Sequence, residues 1–178
     1  MHRIDKINNV SWTQSFVENN ITKIESNWSF FPKRTIWNCN CHVVFDSDND
    51  PLIKKIDFNF LRSEYIKLIS NYCKNFNENL DKIGNIWYNY YKFDQYQEPH
   101  NHISPEHIGP TNKEFVGVHY LIFNPKIHSN LMFVDESLEV PEIKAGDILI
   151  FSGEEYHYVK ESKTNSPRLT ISFGFNLK

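Results

Sequence analysis

No stretch of the 178-residue chain stays apolar over the roughly 18–20 residues that a helical membrane span requires. The amino-terminal Met1-His2-Arg3-Ile4-Asp5-Lys6 leads into polar residues, so it does not read as a secretory signal. Charge of one sign is missing too. Charged residues make up 23% of the chain and the formal net charge is −3, which gives no bulk attraction to nucleic acid or to an anionic membrane. Cysteine is scarce. Cys39, Cys41 and Cys73 make an odd count, which argues against a disulfide framework. Together these absences predict a cytoplasmic location, in a host cytoplasm if the source is viral. Ala145 is the single alanine, while Asn, Lys and Ile are frequent. That bias fits an AT-rich genome and carries no chemistry.

Aromatic residues, by contrast, reach 15%, which favours a folded, β-rich protein. The length predicts a single domain over 1–178. Within it, 1–83 supplies an amino-terminal strand and a supporting helix, and 84–178 the β core. Trp37, Cys39, Cys41, Val43 and Phe45 alternate with polar residues, so 35–46 reads as one long half-buried strand. Cys39 and Cys41 fall on its apolar face, where core packing explains them better than a metal or redox site. Asp46 to Pro51 is a turn by composition and lacks the Gly and distal Glu of a calcium loop. Leu61, Tyr65, Ile69 and Cys73 recur at i+4, predicting a helix from about Phe58 to Phe76. The first thirty residues show no clear period, although Trp12, Phe16 and Trp28 are expected to dock on the main body. From residue 86 onward short β runs follow one another: 86–93, 115–123, 131–134, 147–151, 157–159 and 169–175. The expected class is mainly β with a supporting helix (α+β), as a sandwich or barrel.

The chemistry concentrates in Glu98-Pro99-His100-Asn101-His102. Residues at i and i+2 on a strand share a face, so His100 and His102 can grip one transition metal. His157 is the candidate third ligand. Two His and one carboxylate is the usual set of an open Fe(II) oxygenase site; here a third His occupies the carboxylate's place. That substitution makes the site one unit more positive and less selective for Fe(II) over Zn(II), Ni(II) or Cu(II).

Arg168 follows His157 by eleven positions and begins an alternation in which Arg168, Thr170 and Ser172 share one face. A polar face turned into a β core needs a ligand or water to satisfy it. Arg168 can hold a carboxylate bidentately and Thr170 can add a hydroxyl. Asn89 precedes His100 by eleven positions, and Tyr91 shares its strand face; both can donate hydrogen bonds to a dicarboxylate keto acid. The Gly146-Asp147 turn, the strand after it and His157 form a layout that sets His157 opposite the His-x-His strand.

These pieces resemble the 2-oxoglutarate/Fe(II)-dependent oxygenases, especially the small prolyl-4-hydroxylase-like group of marine phages and bacteria. The resemblance covers about 87–176. It runs through Asn89-Tyr90-Tyr91, Gln97 to His102, Val116 to Leu121, Gly146-Asp147, His157 and Arg168 to Phe173. It implies a double-stranded β-helix (jelly-roll, cupin-like) core. It implies Fe(II) on His100, His102 and His157, and 2-oxoglutarate as co-substrate with its distal carboxylate on Arg168. Asn89 and Tyr91 become supporting co-substrate contacts. The implied reaction is hydroxylation of a C–H bond in an amino-acid or peptidyl substrate, releasing succinate and CO2. Tyr88, Tyr90 and Tyr96 either line the substrate cleft or pack in the core.

The chain departs from the family pattern at His102 and in the long connection from Ile103 to Glu114. This connection carries Glu106 and His107 and stands either as a lid or as the source of a carboxylate ligand, Glu106. Two other functions fit part of the pattern. A cupin metalloenzyme would use His100, His102, Glu106 and His157 without 2-oxoglutarate. A non-catalytic β-helix module would bind a small molecule or partner and no metal. Arg168 and Asn89 discriminate against the cupin.

Overall fold

A computed structural model describes residues 4–32, 39–103 and 113–178, with Cys39 and Lys113 described by backbone alone. The elements run β1 (Ile4–Ile7), α1 (Thr13–Phe30), β2 (Cys39–Asn40), β3 (His42–Phe45), α2 (Phe58–Lys74), β4 (Leu80–Tyr91), β5 (Tyr96–His100), β6 (Lys113–Ile122), β7 (Leu131–Phe133), β8 (Ile148–Ser152), β9 (His157–Val159) and β10 (Arg168–Leu177). They build a six-stranded sheet, ordered β1-β8-β6-β10-β4-β3, and a four-stranded sheet, ordered β2-β5-β9-β7. Every strand pair is antiparallel. Two such sheets face to face, with both helices on the outside of the larger, make the jelly-roll expected from the sequence. Among the described residues no helix is long and apolar enough to cross a membrane.

Period-2 alternation divides the large sheet into two unlike faces. Ile86, Tyr88 and Tyr90 of β4 join Leu169, Ile171 and Phe173 of β10 in the core beneath the helices. Tyr88 and Tyr90 are therefore packing residues in this core. On the opposite face Trp87, Asn89 and Tyr91 stand beside Arg168, Thr170 and Ser172, in register Tyr91↔Arg168 and Asn89↔Thr170. Val118, Leu149 and Phe151 fill the rest of the space between the sheets together with Leu131 and Phe133 of the small sheet.

Helix α2 forms where the i+4 stripe predicts it. Its N-cap Asp57 accepts a hydrogen bond from the Phe60 N–H at 2.9 Å, and Leu61, Tyr65, Ile69 and Cys73 are buried. It ends at Lys74, so Phe76 lies beyond the helix and is 44% exposed. Helix α1 lies where the sequence shows no period, because its buried face includes Asn20 and Asn27. Asn27 is fully satisfied there: its side-chain amide donates to the Lys54 carbonyl (2.9 Å) and the Tyr88 hydroxyl (3.1 Å) and accepts from the Lys54 N–H (2.9 Å). Trp12, Phe16 and Trp28 pack on the core as expected.

The long strand expected over 35–46 is instead two short ones. β2 pairs with β5 in the small sheet and β3 with β4 in the large one, so the chain changes sheets at Cys41. Residues 33–38 lie outside the described residues. Cys41 and Cys73 are buried, consistent with core packing.

His119 on β6 locks the helices to the sheet. Thr13 Oγ1 donates to the Val10 carbonyl (2.7 Å), so it accepts from His119 Nε2–H (2.8 Å). The Tyr65 hydroxyl then donates to His119 Nδ1 (3.0 Å). Burial lowers the pKa of His119 to about 3, with the charge of Asp147 opposing the shift. A neutral imidazole thus ties α1 and α2 to the central sheet. Beside it, Gly117 lies opposite Phe173, whose ring stacks on Tyr65 at 4.0 Å. A Cβ at Gly117 would sit 2.2 Å from the tip of that ring.

Two stability predictions follow from this packing. Gly117→Ala should destabilise the fold by about 1–3 kcal/mol through overpacking; an unchanged urea midpoint would mean that the Phe173 ring moves freely. His119 has a depressed pKa in the folded state. Its contribution is therefore fully present above about pH 6.5 and is lost as pH falls toward 3, at about 1.4 kcal/mol per pH unit. His119→Gln should remove one proton's worth of slope from the acid limb of stability against pH, and an identical limb would contradict this role.

Candidate metal centre and acid-binding cleft

The histidine site is built on the β5–β9 pair. Gln97 lies opposite Val159 and His100 opposite His157, so three steps on β5 match two on β9. The extra residue is a β-bulge at Glu98-Pro99, and Pro99 has no N–H to lose from the ladder. The bulge turns both Gln97 and His100 into the space between the sheets. β5 ends at His100. His102 continues the i+2 direction just beyond it, fixed by its N–H to the Gly153 carbonyl at 3.0 Å. One ligand nitrogen from each of His100, His102 and His157 lies within 4.8 Å of the others, and Nε2 of His102 is 3.2 Å from Nε2 of His157.

Two of the three rings, those of His100 and His157, are held in the tautomer that a metal needs. His100 Nδ1 is 2.7 Å from the Glu98 carbonyl, and His157 Nδ1 is 2.9 Å from that of Glu155. A carbonyl only accepts, so each Nδ1 carries the proton and each Nε2 keeps its lone pair. Burial lowers the pKa of all three. His102 falls well below the ordinary value, with the charges of His157 and His100 adding to burial. His157 falls to about 3 through burial and then His100. His100 is lowered by burial, with the Glu98 carbonyl opposing. Near neutral pH the cluster is three neutral imidazoles, a donor set that suits iron, zinc, copper or nickel.

The cleft in front of the rings is walled by both sheets. The large sheet contributes Asn89, Tyr91, Arg168 and Thr170. Arg168 is 3% exposed, and its Nε and Nη1 have no hydrogen-bond partner among the described residues. Its guanidinium lies over the rings of Tyr91 (4.6 Å) and Tyr120 (5.5 Å). A buried cation with unused N–H groups calls for an anion, and a carboxylate's two oxygens fit the guanidinium fork. Asn89 is tied into the wall: it donates to Ser172 Oγ (3.1 Å) and accepts from Gln97 Nε2 (3.2 Å). The donor set and the orphaned guanidinium therefore suit a divalent metal together with an acidic co-substrate.

His100, His102, His157, Arg168, Thr170, Asn89 and Tyr91 all border this one cleft. Glu106 and His107 lie outside the described residues. Gln97, Ser172 and Trp87, whose ring is 5.3 Å from that of His102, border it as well. Ser172 was legible in the alternation of β10. Gln97 was not, because its odd spacing from His100 becomes same-sided only through the bulge.

No known protein-family profile matches the chain, and no curated protein is similar to it in sequence. Solved structures are similar to it in fold. One is a Pseudomonas putida prolyl-4-hydroxylase, at 14% identity and TM-score 0.68, with 99% of this chain and 93% of that one covered. Another is a prolyl hydroxylase from Trichoplax adhaerens in complex with a peptide fragment of the hypoxia inducible factor oxygen degradation domain. It matches at 14% identity and TM-score 0.63, covering 97% and 83%. A third is HygX from Streptomyces hygroscopicus with nickel and 2-oxoglutarate bound, at 14% identity and TM-score 0.62, covering 97% and 82%. The chain thus has the jelly-roll fold of the prolyl-4-hydroxylase-like 2-oxoglutarate/Fe(II) oxygenases, the group that its motifs resemble.

Proposed function

We propose that this protein is an Fe(II)- and 2-oxoglutarate-dependent dioxygenase that hydroxylates a C–H bond of an amino-acid or peptidyl substrate. The observation that carries the reading is Arg168, a buried guanidinium with two nitrogens that find no partner among the described residues, in the same cleft as three neutral histidines. A site for metal alone would have no use for it. His100, His102 and His157 would hold Fe(II). Arg168 would take the far carboxylate of 2-oxoglutarate and Thr170 would add a hydroxyl. Bound together, iron and 2-oxoglutarate supply the oxidising chemistry, in which decarboxylation to succinate and CO2 accompanies oxygen insertion into a C–H bond.

The chain's own groups orient and shield. The Glu98 and Glu155 carbonyls fix the rings of His100 and His157, and the Gln97–Asn89–Ser172 chain fixes the floor between the sheets. Val118, Leu131 and Val159 keep the remaining wall apolar, which limits water around the reacting groups. A peptidyl substrate is supported by the likeness to a prolyl hydroxylase that is seen with a peptide. The cupin alternative has no role for the orphaned guanidinium.

Succinate formation from 2-oxoglutarate with Fe(II) and oxygen is the direct test. Metal-loaded protein that neither binds 2-oxoglutarate nor turns it over would sink the proposal. Arg168→Ala should raise the 2-oxoglutarate requirement roughly 10- to 100-fold, the range of a lost charge-assisted hydrogen-bond pair, while metal stays bound. His157→Ala should lose the metal itself, as read by titration with Ni(II) or Co(II).

A further inference from the structure

Charge in the cleft is one-sided. Among the described residues that line it, Arg168 is a cation and none is Asp or Glu. Glu98 and Glu155 stand two residues before His100 and His157, but it is their backbone carbonyls that meet the rings, and neither side chain lines the cleft. A divalent metal on three neutral imidazoles would bring two more positive charges and find no anionic protein ligand among the described residues. A set with two His and one carboxylate offsets one of those charges itself; this one offsets none.

We propose that His102 makes the dicarboxylate the source of negative charge for both ends of the site, so that metal and diacid bind as a strongly coupled pair. Each is held weakly alone and tightly with the other, and by thermodynamic reciprocity the gain is the same factor for both. This rests on the 2-oxoglutarate reading above. The proximal keto-acid end answers the metal, the distal end answers Arg168, and a monocarboxylate can answer only one of them. His102 is thus a determinant of ligand charge as well as a metal ligand.

The test is calorimetric titration of the full chain with Ni(II) alone and then with Ni(II) under saturating 2-oxoglutarate, near neutral pH. The wild type is compared with His102→Asp and the longer His102→Glu, and Trp87 fluorescence beside His102 gives a second readout. Chelation by a keto acid couples the two ligands at any such metal, so the change between variants is what reads the charge. In the wild type 2-oxoglutarate should tighten Ni(II) by on the order of 100-fold. In a carboxylate variant Ni(II) alone should bind more tightly than in the wild type, and the coupling factor should drop at least about tenfold. Arg168→Gln, which leaves the histidines intact, should likewise tighten Ni(II) alone by removing a like charge. If the His102 variants do not fold, its result decides, and unchanged Ni(II) affinity overturns the proposal. Equal coupling in wild type and carboxylate variants also overturns it and leaves the dioxygenase reading standing. Tight Ni(II) binding without diacid that weakens in Glu106→Gln overturns it too, by placing a carboxylate on the metal. Ni(II) binding with no affinity for 2-oxoglutarate in any form overturns both readings.

Discussion

Arg168 opens the strand at the middle of the large sheet, buried, with two guanidinium nitrogens lacking acceptors among the described residues. A buried charge without a counter-ion costs several kcal/mol, and natural folds keep such a group where something else repays it. Part of the repayment is present in the aromatic faces of Tyr91 and Tyr120. In the proposed complex the rest would come from the far carboxylate of 2-oxoglutarate. An anion that binds the folded state and not the unfolded one adds its binding energy to stability. On the proposed function, the cost of placing the guanidinium would be recovered in the act of binding, which would tie the fold's energetics to its ligand.

Such a group is useful only if the strand cannot slip. A one-residue shift of β10 would send Arg168, Thr170 and Ser172 under the helices and Leu169, Ile171 and Phe173 into the cleft. The far side of the sheet prevents it. Phe173 lies over Gly117, whose lack of a side chain leaves room for its ring, and stacks on Tyr65. Tyr65 and Thr13 grip His119 from the two helices. Site geometry is thus set largely by contacts on the face that no ligand touches. A lesion there would loosen the cleft without altering any residue that lines it.

What the sequence made legible was whatever depends on period and chemical type. The i+4 stripe placed α2, and the alternation of β10 put its polar residues on one side. The type and spacing of His100, His102, His157 and Arg168 pointed to one cleft before any coordinate did. What it hid were features in which tertiary contacts override the local pattern. Helix α1 buries Asn20 and Asn27, so its apolar stripe is interrupted, and the compensation for Asn27 comes from Lys54, 27 residues away. The alternation through Cys39 to Phe45 continues unbroken in the sequence while the chain changes sheets at Cys41. Alternation reports which side is buried, but not which sheet a strand joins.

The bulge at Glu98-Pro99 joins the two halves of the site. Without the extra residue, Gln97 and His100 would point to opposite sides of β5. With it, Gln97 reaches Asn89 in the large sheet while His100 faces His157. Glu98, inside the bulge, gives its carbonyl to His100 Nδ1, so the same distortion that aims the ring also sets its tautomer. The two walls then differ in kind. The histidine wall is kept neutral by burial and by the rings' mutual repulsion, and the arginine wall carries a guanidinium. Discrimination among ligands must therefore come from the ligand's own charge and from the spacing of its charged ends. A dianion long enough to touch both walls is the simplest molecule that would set one negative charge against a metal on the first and one against the guanidinium on the second.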